Sequence, residues 1–281
     1  MKLNKIKSHA KINLSLNVTG KKSHLHKIES IISFIELHDK ITIKDIKSSK
    51  HQILFKGKFS NKIGKKNTIS TLLKILDDKK LLKNRKFSIQ VDKRIPHKSG
   101  LGGGSMNAAS ILKYFIENKI IQINKNEIIK ISNLIGSDTI LGINSKNSIL
   151  TSNNKIKFFK KCKKIYTLIV KPNFGCSTKY IYSKVKKYNN PLIKKPNQSM
   201  FELSFLKNLS NSLEHIAFNK YSKLKTIKKT LENLSNPEFV RMTGSGSALV
   251  AYFQSKSRCE NAKKMFNKKY KNYWCITSKT I

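Results

Sequence analysis

Apolar and polar residues alternate near the start of the chain. Ala10, Ile12, Leu14 and Leu16 are interleaved with Lys11, Asn13, Ser15 and Asn17, the two-residue period that predicts a strand over residues 8–17. Residues 28–37 and 40–46 carry similar runs and predict two more strands. The period then changes. Ile69, Leu72, Leu73 and Leu76 share one stripe of a helix predicted over 68–76. Phe87, Ile89 and Val91 return to strand alternation. A glycine-rich run, Arg94-Ile-Pro-His-Lys-Ser-Gly-Leu-Gly-Gly-Gly-Ser105, follows, and then Ala108, Ile111, Leu112, Phe115 and Ile116 fall at helical spacing. The glycine run therefore feeds a helix N-terminus. A further helix is predicted over 125–134, ending near Gly136.

The second half opens with a polar stretch at 151–157 that reads as a boundary, dividing the chain into domains of residues 1–155 and 156–281. Beyond it the pattern predicts a strand over 165–171 and helices over 208–219 and 221–234. A strand, tight loop and strand then cross 239–253, before a helix over 257–268 and a last strand over 273–278. Strands and helices mix without strict alternation, which predicts an α+β fold rather than a doubly wound sheet.

Composition narrows the class. The chain has 281 residues, enough for one large domain or two smaller ones. No apolar run approaches the roughly 20 residues that span a bilayer, so no membrane partner is expected. The basic N-terminus lacks an apolar core, so no secretory signal is read and a cytoplasmic location is expected. Cys162, Cys176, Cys259 and Cys275 lack CxxC spacing, which predicts neither a zinc site nor a disulfide framework.

Charge opens one alternative. Lys and Arg number 58 against 15 Asp and Glu, a formal net charge of +43. Such an excess raises nucleic-acid binding as a rival function. The basic residues are spread evenly, with 29 in residues 1–140 and 29 in 141–281, and few are Arg. That distribution reads as a solvated lysine surface with a general attraction for anionic substrates, and no specific nucleic-acid partner is expected.

The glycine run carries the strongest chemistry. Successive backbone N–H groups in such a turn can point into one concavity, and the following helix adds its open N–H groups and positive dipole end. Phosphate is the natural guest, and the Ser105 hydroxyl could reach the phosphate or its Mg²⁺. The run is not a Walker A loop, which needs Lys after its last glycine, and it lacks the third glycine of GxGxxG. A second glycine loop at 243–247 is compatible with a hairpin turn or a ligand loop. Lys11 and Asp138, taken alone, read as ordinary solvated charges.

Five segments in order nevertheless resemble the GHMP kinase superfamily. Ala10-Lys11-Ile-Asn13-Leu resembles its A-K-[IL]-N-L strand, and His26 falls at the His of its G-Y-H-x-[IL] segment. Pro96 through Ser105 resembles P-x-x-x-G-L-G-G-G-S, Ile135-Gly-Ser-Asp138 resembles [LI]-G-[AS]-D, and Arg241-Met-Thr-Gly-Ser-Gly-Ser247 resembles R-M-[TS]-G-[ST]-G-S. A later N-D-L-E segment is matched by Asn211-Ser-Leu-Glu214. The pattern is closest to the branch whose substrate is a cytidine diphosphate ester of methylerythritol.

The resemblance implies a two-domain α+β fold, with an N-terminal domain of ribosomal-protein-S5-like type and a C-terminal ferredoxin-like sandwich. It implies ATP-dependent phosphorylation of an alcohol, with Lys11 and Asp138 catalytic. ATP contacts are implied along Pro96, His97, Lys98, Ser99, Gly100, Leu101, Gly102, Gly103, Gly104, Ser105 and Met106. Asn13, His26, Tyr182, Thr243 and Gly244 are implied to bind substrate. Mg²⁺ is expected through the ATP phosphates, with Ser105 its one candidate protein ligand, and the assembly is expected to be a monomer or homodimer.

Three departures stand out. Ser105-Met106-Asn107 replaces S-S-D, Asp138-Thr-Ile-Leu replaces D-V-P-F, and Leu25 stands where the family carries Tyr. The open alternatives are a GHMP kinase for another small alcohol, such as homoserine or mevalonate, an inactive relative, and the nucleic-acid binder.

Overall fold

The alternation that begins at Ala10 extends well beyond its apolar core: strand β1 runs Asn4–Lys22 and β2 runs Leu25–Ile46. The computed structural model describes residues 3–23, 25–61, 63–160 and 162–281. By compactness the chain forms two units that interleave along the sequence. One holds residues up to Ala10, Leu37–His97 and Gly102–Ser145; the other holds Lys11–Glu36, Lys98–Leu101 and Lys146–Ile281. This partition differs from a single cut after residue 155, because β1 and β2 are long enough to serve both units.

In the first unit, β3 (Gln52–Lys56), α1 (Thr68–Asp78), β4 (Lys86–Asp92), α2 (Gly103–Glu117), α3 (Lys125–Ile135) and α4 (Thr139–Asn144) follow in order. β4 is central, pairing antiparallel with residues 40–46 of β2 and parallel with β3. Its buried Phe87, Ile89 and Val91 face Leu72, Leu73 and Leu76 of α1 and Ile111, Leu112 and Phe115 of α2 in one core cluster. At the head of α1, the Asn67 carboxamide accepts from the Ile69 and Ser70 amides while the Ser70 hydroxyl accepts from the Asn67 amide, a capping box.

The two strands expected over 28–37 and 40–46 are one. The polar interruption between them has a purpose. Asp39 is wholly buried, pairs with Lys93, and accepts from the Arg94 and Ile95 amides at 2.7 and 2.9 Å. A carboxylate in mid-strand thus anchors the chain just before the glycine run.

The second unit contains β5 (Asn147–Leu150), β6 (Ile156–Phe159), β7 (Tyr166–Lys171), α5 (Thr178–Ser183), α6 (Leu203–Leu206), α7 (Glu214–Lys220), α8 (Ser222–Glu232), β8 (Phe239–Met242), β9 (Leu249–Phe253), α9 (Lys256–Lys269) and β10 (Trp274–Lys279). Residues 30–32 of β2 pair with β5, and β5 with β6. β6 occupies part of the stretch read as a polar boundary. The last four strands form an antiparallel sheet in the order β10-β7-β9-β8. With α8 between β7 and β8 and α9 between β9 and β10, this is the split βαβ ferredoxin-like arrangement. Leu224, Ile227 and Leu231 of α8 and Cys259, Ala262 and Phe266 of α9 pack with Leu168, Val170, Leu249, Ala251 and Phe253 of the sheet. The α+β expectation is met. The four cysteines are unpaired. Among the described residues no helix is long and apolar enough to cross a membrane.

Candidate active site

Two glycine loops far apart in sequence meet in the second unit. Gly100 has φ of +76°, and a Cβ there would lie 2.0 Å from the Thr243 carbonyl oxygen. Only glycine allows that approach. The Ser247 amide donates to the Lys98 carbonyl at 3.2 Å, and the Ala248 amide to that of Ser99 at 3.1 Å. Residues 243–247 are therefore more than a hairpin turn, because they cradle the start of the glycine run.

β1 joins the same cluster. The Lys11 amide donates to the Leu101 carbonyl at 3.1 Å, and the Asn13 amide to Thr243 Oγ1 at 3.0 Å. Strand alternation placed Lys11 and Asn13 with the polar set, yet each is 4% exposed. Burial of a lysine needs partners. Lys11 Nζ donates to Asn13 Oδ1 at 2.6 Å, and Asn13 Nδ2 donates to Ser30 Oγ at 2.8 Å. An ammonium fixed this way suits an anionic oxygen. Asn211, in the segment that matches N-D-L-E, anchors the second loop. Its Nδ2 donates to the carbonyls of Met242 and Gly244, both at 2.8 Å, and its Oδ1 accepts from the Leu213 amide, gripping the second loop from below.

The rest of the glycine run lies in the first unit. Gly102, with φ of +71°, caps α2 without a side-chain hydrogen bond. The first backbone bond of α2 runs from the Met106 amide to the Gly102 carbonyl at 2.9 Å, so the amides of Gly103, Gly104 and Ser105 have no acceptor within the helix. Gly104 is exposed, and its carbonyl accepts from Thr68 Oγ1 at 2.8 Å. Gly103 is tightly confined, because a Cβ there would lie 3.0 Å from Ile95 and 3.3 Å from Lys93 Nζ. These amides and the helix dipole form an anion cradle that fits a phosphate.

Met106 departs from the expectation. Its amide is committed to Gly102, and its side chain is 1% exposed, with Sδ 3.0 Å from where a Gly142 Cβ would lie. It is a core residue that packs α2 on α4. Asn107 is also buried, so these two departures fall on the inner face of α2. Leu101 is buried as well. Pro96 is buried, whereas His97 and Lys98 are exposed and Ser99 is buried.

The Asp138 segment comes up to the same helix start. A Cβ on Gly136 would lie 3.6 Å from Ser105 Oγ. Asp138 is the N-cap residue of the short α4 and makes no side-chain capping bond to it. Among the described residues no cluster of three or more His, Cys, Asp or Glu could hold a metal ion. Any Mg²⁺ here would take its oxygens chiefly from phosphates, with Ser105 the nearby hydroxyl.

Residues 67–148 match the family description GHMP kinases N terminal domain, and residues 191–272 match GHMP kinases C terminal. The chain belongs to the GHMP kinase family. Members of this family are ATP-dependent kinases. Among GHMP kinase relatives, the chain is 60% identical over 277 residues, 99% of each chain, to 4-diphosphocytidyl-2-C-methyl-D-erythritol kinase of Pelagibacter ubique. It is 30% identical, over 99% of this chain and all of the other, to the kinase of the same name from Clostridium tetani. A crystal structure of 4-(cytidine 5'-diphospho)-2C-methyl-D-erythritol kinase shares the fold with a TM-score of 0.80 at 20% identity, covering 98% of this chain and 99% of that one. Homoserine kinase from Cytophaga hutchinsonii shares it at 0.73 and 13% identity, covering 100% and 95%.

His26 and Tyr182 form a separate aromatic group in the second unit, with ring centroids 5.2 Å apart. Tyr188 lies 6.3 Å from the same imidazole. No periodic signal marks Tyr188, because it sits in an irregular segment. Burial, with Lys21 adding to it, lowers the His26 pKa and favours the neutral ring.

Proposed function

We propose that the protein transfers the γ-phosphoryl group of ATP to the tertiary 2-hydroxyl of 4-diphosphocytidyl-2-C-methyl-D-erythritol. The observation that carries this reading is the 60% identity, over 99% of both chains, to the Pelagibacter ubique kinase of that name. Likeness in fold to homoserine kinase at 13% identity does not favour that substrate. The two family segments flank residue 155, and we propose that the functional halves divide near it.

A tertiary alcohol is crowded and weakly acidic, so alignment and charge neutralisation must dominate. The substrate oxygen attacks the γ-phosphorus, the bond from that phosphorus to the β–γ bridging oxygen breaks, and ADP leaves with the bond's electrons. Asp138 accepts the hydroxyl proton. A free Asp has a pKa of about 3.9, tolerable in a loose transition state where proton transfer comes late. Lys11, held by Asn13, steadies negative charge on the substrate oxygen. The amides of Gly103, Gly104 and Ser105 receive phosphate oxygens, and Lys98, Ser99 and Gly100 continue that contact. Mg²⁺ would be held by phosphate oxygens with Ser105 as the nearby protein hydroxyl, and would supply charge neutralisation. Asn13, Thr243 and Gly244 bind the methylerythritol end, and His26 and Tyr182 the base. The reaction is assigned to the cytoplasm, by a monomer or homodimer.

The test is ADP release from Mg-ATP with the cytidyl substrate, and with homoserine and mevalonate in parallel. Turnover is expected with the cytidyl substrate alone. Asp138→Asn and Lys11→Ala should each lower kcat by at least about 10²-fold. Turnover of homoserine or mevalonate instead, or near wild-type rates in either variant, would refute the assignment it addresses.

A further inference from the structure

Tyr188 stands out because it is exposed while its neighbours in the chain are hydrogen-bonded. The residue is 45% exposed, yet the chain around it is tied down on both sides. Upstream, the Val185 amide donates to the Tyr182 carbonyl at 3.2 Å, closing the end of α5. Downstream, the Asn189 amide donates to the Val18 carbonyl at 3.0 Å, and Asn189 Nδ2 donates to Asn17 Oδ1 at 2.7 Å. The strap continues to a buried carboxylate. Glu29, 2% exposed, accepts from Asn17 Nδ2 at 2.9 Å, from the Leu192 amide at 2.7 Å and from the Ile193 amide at 3.2 Å. Charge-assisted bonds to backbone amides are among the stronger available to an irregular segment. Three hydrogen bonds to one buried carboxylate fix the strap, and with it the residue it carries.

What it carries is a ring beside His26. The imidazole has Tyr182 at 5.2 Å on one side and Tyr188 at 6.3 Å, with interplanar angles of 41° and 55°. None of the three rings is fully buried, and their neighbour Leu25 is 74% exposed and adds no ring. Partly exposed aromatic rings beside a neutral imidazole suit a flat heteroaromatic ligand. The neutral imidazole offers one donor and one acceptor, matching an aminopyrimidine edge that presents a donor beside an acceptor.

We infer that Tyr188 is a specificity-determining residue that stacks on the nucleobase of the substrate, and that Glu29 is a positioning residue that holds it there through the 189–193 strap. The inference rests on the cytidyl-substrate reading above. A base lost from such a platform weakens binding without touching the reacting oxygen, so the effect belongs in KM and not in kcat.

The experiment measures turnover and, separately, binding of CDP by calorimetry, for the whole protein and for Tyr188→Ala, Tyr188→Leu and Tyr188→Phe. Tyr188→Ala and Tyr188→Leu should raise KM for the cytidyl substrate, and weaken CDP binding, by about tenfold or more. kcat and the KM for ATP should stay within about twofold. Tyr188→Phe keeps the ring and should restore wild-type values. Glu29→Gln should show the same split in milder form. Unchanged KM and CDP affinity in Tyr188→Ala, with wild-type turnover of the cytidyl substrate intact, would overturn the role of Tyr188 alone. Full activity in Tyr188→Leu would show that bulk rather than a ring is needed, and would overturn it too. Absence of wild-type turnover with the cytidyl substrate would overturn the underlying reading instead.

Discussion

His51 illustrates how single side chains set the conditions under which the first unit is stable. Its Nδ1 accepts from the Phe87 amide at 3.0 Å and its Nε2 faces Asp77 at 3.1 Å, an arrangement that needs the neutral ring with its proton on Nε2. Burial lowers its pKa below the ordinary 6.5, against the opposing pull of Asp77. A histidine whose pKa is depressed by folding contributes stability above the unfolded value, and loses it as pH falls below about 6.5 toward the folded value. The stability of the wild type should therefore decline through that window. His51→Gln should flatten the decline, as read from urea midpoints at pH 5 to 8. An identical slope in the variant would assign the decline to other groups. At the same scale, Lys11 and Asn13 were legible as candidates only through resemblance. Their alternation marks them as polar-face residues, and nothing in that period reveals that both are buried. Met106 fails the other way. A place in a phosphate loop suggested ligand contact, whereas helical phase turns its side chain into the core.

Long periodic elements were readable and short ones were not. α1 and α9 fall within two residues of their expected ends, because a stripe of three or more turns is distinctive. α4 and α5, at six residues each, hold fewer than two turns and leave no such stripe. The helix expected over 208–219 begins only at Glu214, because Asn211 uses its carboxamide to hold the second glycine loop. The two strands expected around Asp39 are one for a similar reason, a buried polar group that anchors a loop.

Arg241 of β8 is the comparable anchor for the second unit. It is 4% exposed and donates to the carbonyls of Leu14, Leu206 and Leu209, with its guanidinium 4.4 Å from the Phe239 ring centroid. A lysine has one nitrogen and cannot span three carbonyls. Arg241→Lys should cost about 2 kcal/mol or more through unpaired carbonyls, visible as a lower urea midpoint at unchanged m-value. A midpoint equal to wild type would remove Arg241 from the framework.

For the whole molecule, the charge of +43 is the feature that misleads most easily. Its even spread reads as a solvated surface, and the family matches give the chain a kinase fold, not a nucleic-acid-binding one. Order of segments, more than any one of them, made the family legible in sequence. The interleaving of the compact units was not legible, because nothing in a strand's period marks where one strand passes from one unit to the next. The proposed reaction leaves a new phosphate monoester on the cytidyl substrate. Phosphorus NMR of a reaction containing Mg-ATP, the substrate and the purified protein tests it most directly. A monoester resonance growing in step with ADP, beside an intact diphosphate, is the expected result, and it should be absent with Asp138→Asn. ADP and inorganic phosphate with no monoester would rule out transfer to the substrate, and a monoester formed equally well by Asp138→Asn would rule out Asp138 as the base.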